Sequence, residues 1–293
     1  MSRDNKLQSL AIPDILKIKT YQPGKPVEEV KRELGLKKVI KLASNENPLG
    51  PSIKAVEAIK NYANKVNFYP DGGSYYLKKA LAEKLGVEEE KIILGNGSDE
   101  IVSLITRVFL QRSEEVIIGD PSFLMYKIDS QLSGAKIISV PLNNFKLNLS
   151  AMAERVSPKT KLIFISNPNN PTGTIVEEKE VKDFLRDLPG QTIVIFDEAY
   201  FEYVENKNYP RSIDFLDGRN NVVILRTFSK IYGLAGLRIG YGIAQPQIIE
   251  ILNRARPPFN VNSLAQVAAL ASLRDEDQIT QSRKLISQEK KFL

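Results

Sequence analysis

Short apolar runs alternate with amphipathic segments along most of the chain, and this alternation is what most restricts the fold. The runs lie at Lys91 to Leu94, Glu115 to Gly119, Lys136 to Val140, Lys161 to Ser166, Thr192 to Asp197, Asn221 to Leu225 and Arg238 to Ile243. Their length and content suit strands of an open sheet. Helical periodicity fills the intervals at Ile53 to Val66, Tyr75 to Leu85, Phe123 to Leu132 and Val181 to Leu188. The pattern implies an α/β domain, with a mostly parallel sheet of about seven strands between helices. The Arg238 run comes too soon after its predecessor for a helical crossover, so one antiparallel pairing is expected.

Chemistry-bearing residues sit just past several of these strands, where open α/β sheets bind ligands. The stretch VILRTFSKIYGLAGLRIG, residues 223 to 240, delivers Lys230 past a strand end. A desolvated amine there loses part of its preference for the charged form and can form a Schiff base. Thr227 and Ser229 supply hydroxyls, and Arg238 offers a guanidinium fork suited to a phosphate dianion. Lysine beside a phosphate cradle suggests pyridoxal phosphate, although an isolated Ser-Lys pair is more often solvated surface. In SNPNNPTG, residues 166 to 173, Asn170 could donate to a cofactor's phenolic oxygen, or the segment could be a plain Pro/Asn turn. In IVIFDEAYFEY, residues 193 to 203, a fully apolar strand carries Asp197 to its end, with Tyr200 three residues on. A buried carboxylate needs a cationic partner, and a protonated pyridine nitrogen is one; a turn cap or a metal ligand is the alternative. In GNGSDE, residues 95 to 100, a strand turns through glycines into a helix patterned by Ile101, Leu104, Ile105, Val108 and Phe109. The N–H groups of Gly97, Ser98 and Asp99 then form an anion site, unless Asp99 is only a helix-terminal acid.

The ordered set NPNNPTG, DEAY, TFSK and GLAGLRIG resembles the fold-type I aminotransferases that use pyridoxal 5'-phosphate. More narrowly, KTYQPGKP at 19 to 26, KLASNENPLGPS at 41 to 52, YPDGGSYYLKKALAEKLG at 69 to 86 and RPPFNVNSLAQVAAL at 256 to 270 resemble the histidinol-phosphate aminotransferase family. The resemblance covers essentially the whole chain. It implies that Lys230 carries the cofactor and shuttles the proton, that Asp197 pairs with the pyridine nitrogen, and that Asn170 and Tyr200 meet the ring oxygen. It further implies that Gly97, Ser98, Asp99, Thr227, Ser229 and Arg238 bind the cofactor phosphate. Phe123 stands where the family stacks an aromatic ring on the cofactor, with a core phenylalanine as the alternative. Tyr69 matches a tyrosine lent across a homodimer interface, and Tyr21 and Asn47 match positions near the substrate. The implied reaction exchanges an amino group between histidinol phosphate and 2-oxoglutarate, giving imidazole acetol phosphate and glutamate in histidine biosynthesis. An aromatic aminotransferase or a phosphothreonine decarboxylase on the same scaffold, and an inactive fragment keeping the fold, are the alternatives.

Composition removes rival chemistries. The 293 residues contain no histidine and no cysteine, which excludes a Ser-His-Asp triad, a cysteine nucleophile, disulfides and imidazole or thiolate metal sites. No metal is expected. The 41 basic and 35 acidic residues are interspersed, so the net charge of +6 does not mark a nucleic-acid partner. No apolar run reaches the length of a membrane span, and MSRDNKLQSL lacks a signal-like core, so a cytoplasmic protein is expected. Two prolines in RARPPFN, residues 254 to 260, suggest a boundary. Residues 51–257 would form a large cofactor-binding domain. Residues 1–50 and 258–293 would form a smaller α/β domain, C-terminally incomplete, since the chain stops inside a helical pattern that family members continue past.

Overall fold

The computed structural model describes residues 10–22, 24–218 and 221–292. Residues 1–9, which hold most of the N-terminal segment read for a signal, and Pro23 of the 19–26 motif lie outside the described residues. The elements run α1 (Val27–Leu34), α2 (Ile53–Tyr62), α3 (Tyr75–Leu85), β1 (Ile92–Gly95), α4 (Ser98–Phe109), β2 (Glu115–Asp120), α5 (Leu124–Leu132), β3 (Lys136–Pro141), α6 (Leu149–Ala153) and β4 (Thr160–Ser166). They continue with α7 (Glu178–Arg186), β5 (Ile193–Asp197), β6 (Val222–Thr227), β7 (Gly240–Ala244), α8 (Pro246–Ala255), α9 (Ser263–Leu273) and α10 (Glu276–Phe292).

The strands form one sheet of order β1-β7-β6-β5-β4-β2-β3. Strand β7 is antiparallel to both neighbours, and the other pairings are parallel. The central strands are apolar until their last residues because both faces are covered. Val194, Phe196, Ile224 and Ile243 join one buried cluster with α3, α7 and α9, while Ile195, Val223, Leu225 and Ala244 join another with α4, α5 and α8. The edge strand β3 is largely exposed, as an edge permits. Ala265, Ala268, Ala269 and Leu273 of α9 belong to the same cluster as the sheet face they cover.

Local chemistry sets the element ends. Ser52, Asn148 and Asn262 each accept a hydrogen bond from a backbone N–H of the helix they precede. A reciprocal box between Glu177 and Glu180 starts α7 three residues earlier than its apolar periodicity implied. The helical pattern at Ile53 to Val66 tightens into a 3-10 turn after Tyr62, and Phe123 precedes α5 rather than opening it. Strand β6 runs two residues beyond the apolar run because Arg226 and Thr227 pair with Tyr241 and Gly240 of β7. The run from Arg238 begins as a strand only at Gly240, since Arg238 itself is left-handed at φ 53 and closes a 3-10 turn over Ala235–Leu237.

The register brings the strand ends level with one another. Ser166 pairs with Asp197, Asp197 with Leu225, Thr227 with Gly240 and Gly240 with Gly95. The ends of β1, β4, β5 and β6 therefore lie along one sheet edge, and the loops leaving them share a single space.

Candidate active site

That space is a cavity of ≈ 310 Å³ lined by Tyr21, Ser98, Asp99, Phe123, Asn170, Asp197, Tyr200, Thr227, Ser229, Lys230 and Arg238, with Met125, Tyr126, Ser166 and Ala199. Residues separated by more than two hundred positions are brought together by the parallel order of the strands.

Strand alternation decides which side chains face it. Asp197 follows Ile195 onto the face covered by α4, and Thr227 follows Leu225. The Asp197 carboxylate is buried; its Oδ2 accepts from the Tyr126 hydroxyl at 2.6 Å and its Oδ1 from the Ala199 N–H at 3.1 Å. Burial pushes its pKa up to about 6, against the lowering effect of those two donors. Opposite lies Lys230, whose Nζ donates to the Ser44 carbonyl at 3.1 Å and stands 5.3 Å from the centre of the Tyr200 ring. Burial holds the amine below its ordinary pKa, which favours the neutral, nucleophilic form. The Tyr200 oxygen accepts from Asn45 Nδ2 at 2.9 Å, and burial raises its phenol.

The three asparagines after β4 have different jobs. Asn167 ties its loop to both backbone groups of Val176, at 3.0 and 3.1 Å. Asn169 accepts from Ser122 at 2.8 Å and donates to Pro121 O and Thr172 Oγ1. Asn170 makes no hydrogen bond with any described residue and lines the cavity. Its carboxamide is left free to donate into the cavity from a loop that its neighbours pin.

At the far end of the cavity, α4 opens at Ser98 after Gly97, which has φ 81. The left-handed φ of Gly97 disfavours any side chain, and a Cβ there would push against Arg238 Nη2 at 2.6 Å. Gly240 is the tighter position: a Cβ there would lie 2.4 Å from the Ser98 nitrogen, so glycine lets the helix end rest on the sheet. Arg238 Nη1 donates to Ser229 Oγ at 3.5 Å, and Nη2 to Asp99 Oδ2 at 3.3 Å. The Asp99 carboxyl is raised by burial more than Arg238 and Lys230 lower it. Helix N–H groups, two hydroxyls and a guanidinium thus converge as an oxyanion cradle.

Three expected residues do not line the cavity: Gly97, expected only through its backbone N–H, Tyr69, expected as a residue lent to a second copy, and Asn47, expected near the substrate. Gly97 contributes backbone alone. Tyr69 is 82% exposed and stacks on Phe259 at 4.7 Å, beside a second surface hollow with Val66, Phe68 and Pro258. Asn47 is spent on structure: its Nδ2 donates to Ile231 O at 2.7 Å and to Ser282 Oγ at 2.9 Å, and its Oδ1 accepts from Leu49 N. Sequence patterns passed over Tyr126, Ser166, Ser44 and Asn45. A tyrosine three residues after Phe123 at a helix start was a usable signal for Tyr126; nothing marked the backbone carbonyl of Ser44. A further cavity of ≈ 570 Å³ meets the first at Asn170 and Tyr200 and carries Arg283 and Lys290 of α10.

The family model for aminotransferase class I and II matches residues 37–293. Among curated relatives, a histidinol-phosphate aminotransferase of Moorella thermoacetica is 54% identical over 280 residues, covering 95% of this chain and 72% of the relative. One from Caldicellulosiruptor saccharolyticus is 49% identical over 92% of this chain and 75% of the relative. Among solved structures, the Sinorhizobium meliloti histidinol-phosphate aminotransferase in complex with pyridoxal-5'-phosphate superposes with a TM-score of 0.88 at 29% identity, covering 96% of this chain and 75% of that one.

Proposed function

Because the chain belongs to the class I and II aminotransferases, we propose that it uses pyridoxal phosphate to move an amino group from histidinol phosphate to 2-oxoglutarate, as a step of histidine biosynthesis in the cytoplasm. The observation that carries this is the placement of Lys230, Asp197 and the Arg238 cradle around one cavity. The residues fit the cofactor on independent grounds. Asp197 is a buried carboxylate with two neutral donors and no cation in hydrogen-bond contact among the described residues, so a protonated ring nitrogen meets an unfilled requirement. Asn170 has an unspent carboxamide, and the cradle is bare of Cβ atoms at Gly97 and Gly240.

Lys230 would hold the cofactor through its amine; Ser98, Asp99, Thr227, Ser229 and Arg238 would hold its phosphate; Asn170 and Tyr200 would meet its ring oxygen; and Phe123 would cover the ring. When bound, pyridoxal phosphate supplies an electron-poor ring that accepts the electron pair left behind when a carbon next to nitrogen loses its proton. Once the donor's amine has displaced it from the cofactor, the freed Lys230 Nζ would take the proton from the donor's carbon as general base and return it one step later. Burial of the amine favours the base form needed at the start. Asp197 keeps positive charge on the ring nitrogen. Tyr21 lines the cavity from the N-terminal segment and would meet the substrate there, while Asn47 fixes its own segment to Ile231 and Ser282.

The same reading pairs the chain with a second copy through the face bearing Tyr69, whose exposed ring with Phe68 and Phe259 forms an aromatic patch. The test is the visible spectrum of the purified chain titrated first with pyridoxal phosphate and then with histidinol phosphate. A cofactor band that forms and is then discharged by histidinol phosphate is the expected result. A band discharged by phenylalanine but untouched by histidinol phosphate overturns the substrate.

A further inference from the structure

Tyr126 has no role in the family resemblance, yet it makes the shortest contact to Asp197. Its ring is 1% exposed, stacks on Phe164 at 4.5 Å and 8°, and meets Phe123 edge-on at 5.4 Å. These contacts leave the phenol one direction, toward Asp197 Oδ2 at 2.6 Å. The Ser166 hydroxyl, which also lines the cavity, donates to the Pro168 carbonyl at 3.3 Å and leaves the Tyr126–Asp197 bond to itself. Burial and the Asp197 charge keep the phenol protonated far above neutrality, so Tyr126 always donates and never accepts the proton.

We propose that Tyr126 is the positioning residue for Asp197: it locks the carboxylate plane and tempers its basicity, so that the proton shared with a cationic ring nitrogen stays on the nitrogen. The inference rests on Asp197 facing the cofactor ring. A carboxylate at a buried strand end has two failings as a ring partner. It can rotate, and it can take the proton itself and become a neutral acid. The Ala199 N–H and the Tyr126 hydroxyl hold one oxygen each, which removes the rotation. The groups around Asp197 pull in opposite senses. Asp99 and Glu198 raise its proton affinity, as does burial, while Tyr126 and Ala199 lower it. Lys230 and Tyr200 also feel its charge. Tyr126 is the only side chain among the described residues that donates a hydrogen bond to the carboxylate and so opposes protonation directly.

The test compares wild type, Tyr126→Phe, Tyr126→Leu and Asp197→Asn. In the cofactor-free protein, carbon NMR of labelled aspartate follows the Asp197 titration, assigned by its loss in Asp197→Asn. Tyr126→Phe is expected to move that titration to higher pH by about tenfold in proton affinity, the scale of one hydrogen bond to a charged group. With ring-labelled pyridoxal phosphate, the nitrogen signal moves toward the unprotonated position and affinity falls about tenfold. Fluorotyrosine at position 126 keeps the packing and strengthens the donor, so it moves the carboxyl titration the opposite way, and it stands in should the phenylalanine variant not fold. Tyr126→Leu, which also loses the stacks, separates packing from donation through its lower melting temperature. Unchanged titration and nitrogen signal in both Tyr126→Phe and fluorotyrosine proteins overturn the proposal and leave Tyr126 as a core aromatic. If Asp197→Asn also leaves affinity and nitrogen signal unchanged, it is the placement of Asp197 on the ring that fails.

Discussion

Asp197 and Glu198 are adjacent in sequence, both buried and both at the end of β5, yet alternation sends them to opposite faces of the sheet. On the far face, Glu198 Oε2 receives Arg226 Nε and Nη2, each at 2.9 Å, and the guanidinium also lies 3.8 Å from the centre of the Phe201 ring. On the cavity face, Asp197 has only a phenol and a backbone N–H among the described residues. One carboxylate carries its cation within the fold, and the other has a place for a cation from outside. The difference teaches how to read buried charge: a satisfied pair holds structure, whereas a carboxylate with donors but no counter-charge beside a cavity points to a ligand.

Lys230→Ala tests the cavity face most severely. Transaminase activity is expected to fall by ~10³-fold or more, since general base catalysis alone is worth ~10²–10⁴, and the cofactor's absorbance should change while the melting temperature barely moves. A variant with unaltered activity and spectrum would break the assignment of Lys230. On the far face the cost is expected in stability. Arg226→Met leaves the Glu198 charge buried and uncompensated, and denaturant unfolding should show a loss of about 3–5 kcal/mol. Replacing both partners with apolar residues should recover much of it; no recovery would mean that Arg226 matters through Phe201 and Tyr241 instead.

Asp197→Asn should act with opposite signs on function and stability. Burial raises the carboxyl to about 6 from an ordinary 3.8. The folded protein therefore binds a proton more tightly than the unfolded chain, and the stability this contributes is present below about pH 4 and lost as pH rises through 6. The cofactor-free asparagine variant, which has no charge to bury, should be more stable than wild type at pH 8 by about 3 kcal/mol, even as cofactor affinity drops. Equal stabilities would show that Asp197 already has a counter-charge. A test confined to stability sharpens the same contrast. Glu202, buried on the Arg226 side with Oε1 unpartnered, is raised to about 8 by burial. Glu202→Gln should flatten the decline in stability between about pH 5 and 8, measured by thermal melts across that range, while leaving the cofactor spectrum alone.

Much of the fold was legible because a strand buried on both faces must be apolar throughout, so β2, β4, β5 and β6 announce themselves. The residues just past them could be placed at one edge once the parallel order was inferred, which is why Asn170, Asp197, Thr227, Ser229 and Lys230 were found together. What escaped depended on contacts between distant segments. The left-handed turn at Arg238 exists to aim a guanidinium at Ser229 and Asp99 and has no local signature. The bonds of Asn47 to Ile231 and Ser282 link segments about two hundred residues apart and have no local signature either. The helical pattern from Asn262 breaks between Leu273 and Glu276, so that α9 covers the sheet and α10 turns to carry Ser282 and Arg283.

By itself, the sequence determined the strands, their parallel sense and the type of chemistry at their ends, because periodicity and residue type act over a few neighbours. The tertiary structure alone decided which charges were paired. Whether a carboxylate meets Arg226 or an open cavity depends on the half-turn of a strand and on a tyrosine seventy-one residues away, and distance in space, which sets electrostatic energy, is not written in sequence order.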